Sequence, residues 1–317
     1  MAARGERGAL RVLEKLEMSV NSGQYYEAHQ MYRTLYFRYL SQRKYTDLLN
    51  LLNKGATLLL QYDQQGSGTD LALLFIDVLT KSETKPNEEW INKIGDLFEM
   101  MNPGIPEREM FLTNAVKWSM DNNKKGHPLL HKRVAEVYWK QKKFTSAHRH
   151  FLHSNDGVAY ANMLIEMHTT KGLKSEIDMF IAQAVLQILG LKNLQMALDA
   201  FYKYVSSHPK IRNNKRKPPY LTPLLNFLWF LMFAIEEKHA TQFKLLREIY
   251  AKSIKRDPFY SEYLDNIGRV WFGIEIPQIN RNSNTPFGGL LKSIIGDVDS
   301  SDDEDYLDQS APAPDLD

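Results

Sequence analysis

Hydrophobic residues recur along this 317-residue chain every three or four positions, and no stretch alternates as a half-buried strand would. Leu10, Leu13, Leu16 and Val20 mark a first amphipathic helix over 8–22. Met31, Leu35 and Tyr39 mark its partner over 26–41. A second hairpin is expected to turn between Gln61 and Thr69. There Gly66-Ser67-Gly68-Thr69-Asp70 reads as a loop, with Ser67 or Thr69 capping the next helix and Asp70 at its positive end. Helices are predicted over 87–101 and 110–120, separated by Asn102-Pro103-Gly104-Ile105-Pro106, and a long hairpin over 127–154. The pattern continues over 159–168, 176–189, 194–206, 220–236, 241–252 and 258–273, followed by a polar linker over 277–286 and a short apolar helix opening at Gly288-Gly289-Leu290-Leu291. The chain reads as all-α.

The joint between the first two helices is specific. Gly23-Gln24-Tyr25-Tyr26-Glu27-Ala28, followed by Tyr32, has the order of a tetratricopeptide-type turn. The glycine frees the backbone, and the small alanine lets the second helix lie close to the first. Weaker copies stand at Lys143-Phe144-Thr145-Ser146-Ala147 with Phe151, and at Asn193-Leu194-Gln195-Met196-Ala197 with Phe201. Lys44-Tyr45 opens a turn without the alanine. The anchor alanines 28, 147 and 197 share no interval, whereas a regular array repeats about every 34 residues. The expectation is an irregular tetratricopeptide-like solenoid of helical hairpins, an architecture that usually holds other proteins.

Charge changes this picture at one end. Nine of the 38 acidic residues lie from Asp297 onward, with no Lys or Arg among them, so residues 1–296 carry 40 basic against 29 acidic residues, a net +11. The acidic stretch is rich in Ser, Ala and Pro and is expected to be disordered, with Ser300 and Ser301 as candidate phosphorylation sites. Lys210, Arg212, Lys215, Arg216 and Lys217 form a basic cluster in an expected loop over 208–219. A solvated loop is the preferred reading. The alternative is a helical nucleic-acid-binding protein using 210–217, or a nuclear signal.

Little in the chain points to catalysis. Cysteine is absent, which removes thiolate metal sites and cysteine nucleophiles and fits a reducing compartment. No phosphate-binding loop, dinucleotide fingerprint, nucleophile elbow or HExxH occurs. His148, His150 and His153 lie close together, but a wet helix face plus one packed histidine accounts for them. Pro128 disturbs the spacing of His127 and His131. No cofactor, metal or catalytic residue is expected. The N-terminus lacks an apolar signal-peptide core. The most apolar run, 224–235, is shorter than the roughly 18 residues of a membrane span and reads as a buried helix.

Arg11, Lys15, Arg33, Arg38 and Arg43 surround tyrosines on the first helices, a composition shared by protein interfaces and by ordinary charged faces. Here the string Gln24-Tyr25-Tyr26-Glu27-Ala28-His29-Gln30-Met31-Tyr32-Arg33-Thr34-Leu35 resembles the family of the fourth protein of Golgi-to-ER traffic, which includes the smaller helical subunit of the transmembrane-domain recognition (scythe) complex. The resemblance continues in order through Gly68-Thr69-Asp70-Leu71, Gly126-His127-Pro128, His150-Phe151-Leu152-His153-Ser154, 179–187, 223–231 and 256–268, covering about 10–295. It is weaker in the basic loop and the acidic tail.

The resemblance implies a cytosolic, non-catalytic scaffold for delivery of tail-anchored proteins to the ER membrane. Its N-terminal half, 8–155, would dock the targeting ATPase and favour its nucleotide-bound form, through Arg11, Lys15, Tyr25, Arg33, Arg38 and Asp70. Asp70 would pair with a basic group of the ATPase. Its C-terminal half, 156–276, would hold a ubiquitin-like adaptor or a scythe-type BAG-domain scaffold. The candidate residues there are Phe227, Trp229, Tyr260, Tyr263, Trp271 and Phe272, aromatics equally suited to a core. Residues 277–317 would be the linker and acidic tail.

Overall fold

The computed structural model describes residues 2–121, 124–211 and 218–274, with side chains from residue 11. Most of the basic loop, the polar linker, the short apolar helix and the acidic tail therefore lie outside the described residues. Those described form fifteen α-helices and one 3-10 turn, with no strand among them. In order they are α1 (Ala2–Asn21), α2 (Tyr25–Ser41), α3 (Tyr45–Gln61), α4 (Gln65–Lys81), α5 (Glu88–Met100), α6 (Pro106–Trp118), α7 (Pro128–Lys140) and α8 (Phe144–Phe151). Then follow α9 (Gly157–Lys171), the 3-10 turn Lys174–Glu176, α10 (Ile177–Gly190), α11 (Leu194–Ser207), α12 (Pro223–Glu236), α13 (Ala240–Ile249), α14 (Ala251–Ile254) and α15 (Phe259–Phe272). Through the first seven helices, each packs on a neighbour or next-but-one neighbour: α2 on α1, α3 and α4, α3 on α5, α4 on α6, α5 on α7.

One turn recurs seven times. The backbone N–H groups of Gln24, Lys44, Gln64, Thr84, Lys143, Asn193 and His239 each donate to a carbonyl five residues back. The residue before each is left-handed: Gly23, Arg43, Asp63, Glu83, Lys142, Lys192 and Lys238, with φ from 52° to 75°. This is the Schellman arrangement that satisfies the last carbonyls of a helix. Only one of the seven carries glycine. The first four left-handed residues stand 20 positions apart, so the N-terminal helices do keep a strict period, set by turns rather than by the alanines.

That period corrects the expected loop at 66–70. The turn falls at 62–64, and Gly66 to Asp70 already lie inside α4, whose N-cap is Gln64 rather than Ser67 or Thr69. Gly68 is there for space: a Cβ would sit 2.7 Å from Leu60 Cγ of the facing helix. Elsewhere the proline breaks act as helix starts, with Pro106, Pro128 and Pro223 each in the first turn. The expected helix over 241–252 is divided at Tyr250 into α13 and α14.

Behind these turns lies a continuous apolar core, from Leu35, Leu52, Phe75 and Phe98 through Phe111, Phe151 and Phe201 to Phe227 and Phe243. Helices α9 and α11 approach most tightly at Gly157, where a Cβ would meet the Met196 carbonyl oxygen at 2.3 Å and the Ala200 nitrogen at 2.8 Å. Both are backbone atoms, so no rotamer change relieves the clash. Gly157→Ala is expected to cost about 2 kcal/mol, which in a protein of this size lowers the melting temperature by about 3–4 °C. A thermal melt coincident with wild type would show that the two helices separate freely.

Candidate docking faces

The N-terminal candidate face is built across α2 and α4. Tyr25 opens α2 and stacks on Tyr62, ring centroids 4.9 Å apart. On the inner side of α2, His29, Arg33 and Tyr36 follow one another at helical spacing. Opposite them on α4 stand Asp70 and Asp77. His29 Nε2 lies 2.8 Å from Asp70 Oδ2, and Arg33 Nη1 donates to both Asp70 oxygens at 3.1 Å. Seven residues along, the Tyr36 hydroxyl and Lys81 Nζ donate to Asp77 at 2.8 and 2.7 Å. Two acidic rungs therefore bridge helices that have α3 between them in sequence.

Of the residues expected to dock the ATPase, the structure joins Arg33 and Asp70 to each other. Asp70 is not a bare carboxylate awaiting an outside base, because two side chains of its own chain already hold it. Its side chain remains 32% exposed and that of Arg33 41%, so the pair is open to solvent rather than buried. Arg11 and Lys15 stand exposed one turn apart on α1, and Arg38 is partly exposed on α2. His29 was not among the expected site residues. Its signal is its place four residues before Arg33, on the same helix face.

The C-terminal candidate face is corrected more heavily. Phe227, Tyr260 and Tyr263 are buried and belong to the core. Tyr260, Tyr263 and Trp271 work along one seam between α10 and α15. The Tyr260 hydroxyl donates to the Met179 carbonyl at 3.2 Å, Gln187 Nε2 donates to the Tyr263 hydroxyl at 2.8 Å, and Trp271 Nε1 donates to the Leu189 carbonyl at 2.8 Å. Phe272 stacks on buried Phe243 at 4.9 Å. What remains outward is a ledge on α12. Trp229 lies parallel to Phe233 at 5.7 Å and edge-on to Phe230 at 5.1 Å, and Phe230 and Phe233 are 37% and 41% exposed. The Trp229 indole N–H is buried without a hydrogen-bond partner among the described residues. Exposed Leu245 and Ile249 lie on α13, which packs on α12.

The histidines do not form a wet face. His131 is buried, and its Nδ1 lies 2.9 Å from His150 Nδ1, with the His153 ring centroid 5.2 Å away. Burial first, then the neighbouring imidazoles, lower the His131 pKa to about 2 and that of His150, with its neighbours His153 and Arg149, to about 4. His127 caps α7, accepting from the Leu129 N–H at 3.2 Å. Among the described residues, no group of three or more His, Asp or Glu is arranged to hold a metal ion. A cleft of about 350 Å³ opens between α8, α9 and α10, floored by Leu164, Met167, Met179 and Phe180. Its one imidazole, His148, bonds the Tyr160 hydroxyl at 2.5 Å, and burial lowers its pKa to about 4.

Residues 42–295 match the family described as Golgi to ER traffic protein 4. A Xenopus tropicalis protein named Golgi to ER traffic protein 4 homolog is 46% identical over 312 residues, covering 98% of this chain and 95% of that one. The chain belongs to the Golgi to ER traffic protein 4 family. The Homo sapiens homolog of the same name is 43% identical over 310 residues, covering 98% and 94%. The fold of C. therm. Get4, known from a crystal structure, aligns with a TM-score of 0.75 at 23% identity over 92% of this chain and 96% of that one. The helical architecture is thus that of the family. No helix among the described residues is long and apolar enough to cross a membrane.

Proposed function

We propose that this Golgi to ER traffic protein 4 relative is a non-catalytic, cytosolic bridge in the delivery of tail-anchored proteins to the ER membrane. One end docks a targeting ATPase, and the other holds a ubiquitin-like adaptor or a BAG-domain scaffold of the scythe type. The observation that carries the reading is the half-exposed Asp70–Arg33 pair between α4 and α2, beside α1, which exposes Arg11 and Lys15. A surface presenting both a carboxylate and several cations suits a partner of mixed charge and rewards one register of docking. The α12 ledge supports the second end. Exposed aromatics are frequent anchors of interfaces, and a buried indole N–H lacking an acceptor favours a partner that brings a carbonyl.

A bridge of this kind works by raising the local concentration of acceptor beside the client, so that transfer outruns release. Favouring the nucleotide-bound ATPase requires higher affinity for that state than for the other, and this fixes the experiment. Binding of the full chain to the ATPase is measured with and without ATP, for wild type and Asp70→Lys. Binding is expected to depend on nucleotide, and reversing the charge at Asp70 is expected to weaken it at least about tenfold, since like charges facing across an interface cost several kcal/mol. A folded protein that binds in neither state overturns the reading.

A further inference from the structure

Asp70 is held by two side chains of very different freedom. The Arg33 side chain is 41% exposed, and a pair of that kind is readily exchanged with solvent or with another ion. His29 is only 8% exposed, lies beside fully buried Ala28, and belongs to a helix packed directly on α4. His29 Nε2 stands 2.8 Å from Asp70 Oδ2, and because a carboxylate only accepts, Nε2 carries the proton that points at Oδ2. Oδ2 therefore receives both His29 and Arg33, whereas Oδ1 receives Arg33 alone. A carboxylate has lone-pair positions for about four donors, so Oδ1 keeps the capacity for one more.

We infer that His29 is a positioning residue for Asp70: it pins Oδ2 from below and keeps Oδ1 presented to a cationic donor of the docking partner. Arg33 is then the exchangeable counter-ion, occupying the carboxylate until that donor arrives. This rests on the reading that the α2–α4 face docks a partner, and it adds the group that makes Asp70 geometrically ready. Without His29, Asp70 is free to turn into Arg33 or sample other rotamers. Docking must then immobilise a side chain that the wild type holds in advance.

The test compares His29→Ala, His29→Gln and Asp70→Asn in the full chain, alone and combined, with unchanged thermal melts as the condition for using each variant. His29→Ala is expected to weaken binding to the nucleotide-bound ATPase by about three- to tenfold, from the ordering of one side chain. His29→Gln, whose amide N–H reaches a similar place, should recover most of it. In the Asp70→Asn background, His29→Ala should cost nothing further. Independent multiplication of the two effects, or a glutamine variant as weak as alanine, overturns the inference.

A second readout needs no partner. The long-range ¹H–¹⁵N spectrum of the free protein should show His29 as the Nε2–H tautomer, in a signal that Asp70→Asn displaces. If Asp70→Asn leaves ATPase binding unchanged yet displaces the His29 signal, the docking reading fails while the holder stands. A His29 signal indifferent to Asp70→Asn overturns the holder itself.

Discussion

Acidification from pH 7.5 to 5 is expected to destabilise this protein by about 4–6 kcal/mol, a large part of the 5–15 kcal/mol that holds a typical fold together. The cause is its histidines. His131 has its pKa lowered to about 2, and His148, His150 and His208 to about 4, in each case first by burial. His153 is lowered as well, by burial and then by Lys125. In the unfolded chain all of them titrate near 6.5. Between those values the unfolded chain takes up protons that the folded chain excludes. Stability is therefore complete above about pH 6.5 and declines as pH falls toward 4. A single histidine of this kind forfeits about 2 kcal/mol at pH 5. The total is less than the sum because the rings are coupled.

The coupling is visible in the hydrogen bonds. Lys210 N–H donates to His208 Nδ1 at 3.1 Å, which places the His208 proton on Nε2. That nitrogen lies 2.9 Å from His168 Nδ1, and His168 Nε2 donates in turn to the Leu173 carbonyl at 2.9 Å. The two links accepted by a ring nitrogen, at His208 Nδ1 and His168 Nδ1, require neutral rings. A protonated His208 loses its acceptor for Lys210, and a protonated His168 has no lone pair to offer His208. The same holds for His131 and His150, which face each other through Nδ1 with His127 and His153 beside them and Lys125 near His153. Urea midpoints should be flat above pH 7 and fall most steeply between 6.5 and 5. The pair His131→Gln with His208→Asn should flatten that slope. A wild-type midpoint constant from pH 7.5 to 5 would mean that these rings reach solvent in the folded state.

The helical class was legible because apolar spacing survives any turn chemistry, as in Leu10, Leu13 and Leu16. Most boundaries were not. A left-handed turn residue is recognisable when it is Gly23, but Arg43, Asp63 and Glu83 occupy the same conformation without a compositional sign. Their shared 20-residue interval was therefore hidden, and the glycines at 66 and 68 drew the turn to themselves. Those glycines are inside α4, and Gly68 is needed for contact with Leu60 rather than for bending.

The candidate faces divide the same way. Arg33 and Asp70 were both within reach of the sequence as candidates, but their bond was not, since 37 residues and a whole helix separate them. On the C-terminal side, an aromatic residue carries no mark of which way it faces. Tyr260 and Tyr263 bury their rings, and with half-buried Trp271 they spend their polar atoms on α10, whereas Phe230 and Phe233, overlooked in favour of Trp229, are the ones left outside.

That seam begins with Arg256, and Arg256→Met is expected to lower stability by about 3 kcal/mol and the melting temperature by about 4–6 °C. Arg256 Nη1 donates to Asp178 Oδ2 at 2.8 Å, and Nη2 to the Ser175 carbonyl at 2.7 Å. Asp178 is 1% exposed, and its other oxygen has no partner among the described residues. Methionine fills most of the arginine's volume, so the loss isolates the charge: a buried carboxylate is left without its cation. Breaking a buried pair from one side typically costs about 3–5 kcal/mol, and the lower end applies because the Arg256 side chain is 35% exposed and water can follow the smaller residue in. Arg256→Lys should fall between the two, keeping the charge but not the fork that serves Asp178 and Ser175 together. Removing both charges, as Arg256→Met with Asp178→Leu, should recover most of the loss, since the penalty lies in the unpaired carboxylate rather than in the absence of the pair. Because Tyr260, Tyr263 and Trp271 fasten the same two helices further along, the single variant should also loosen α15 on α10, read as faster amide exchange of α15 than of α2. A variant melting within about 2 °C of wild type, with α15 exchange unchanged, would show that the seam holds without its ion pair and that Asp178 finds water instead.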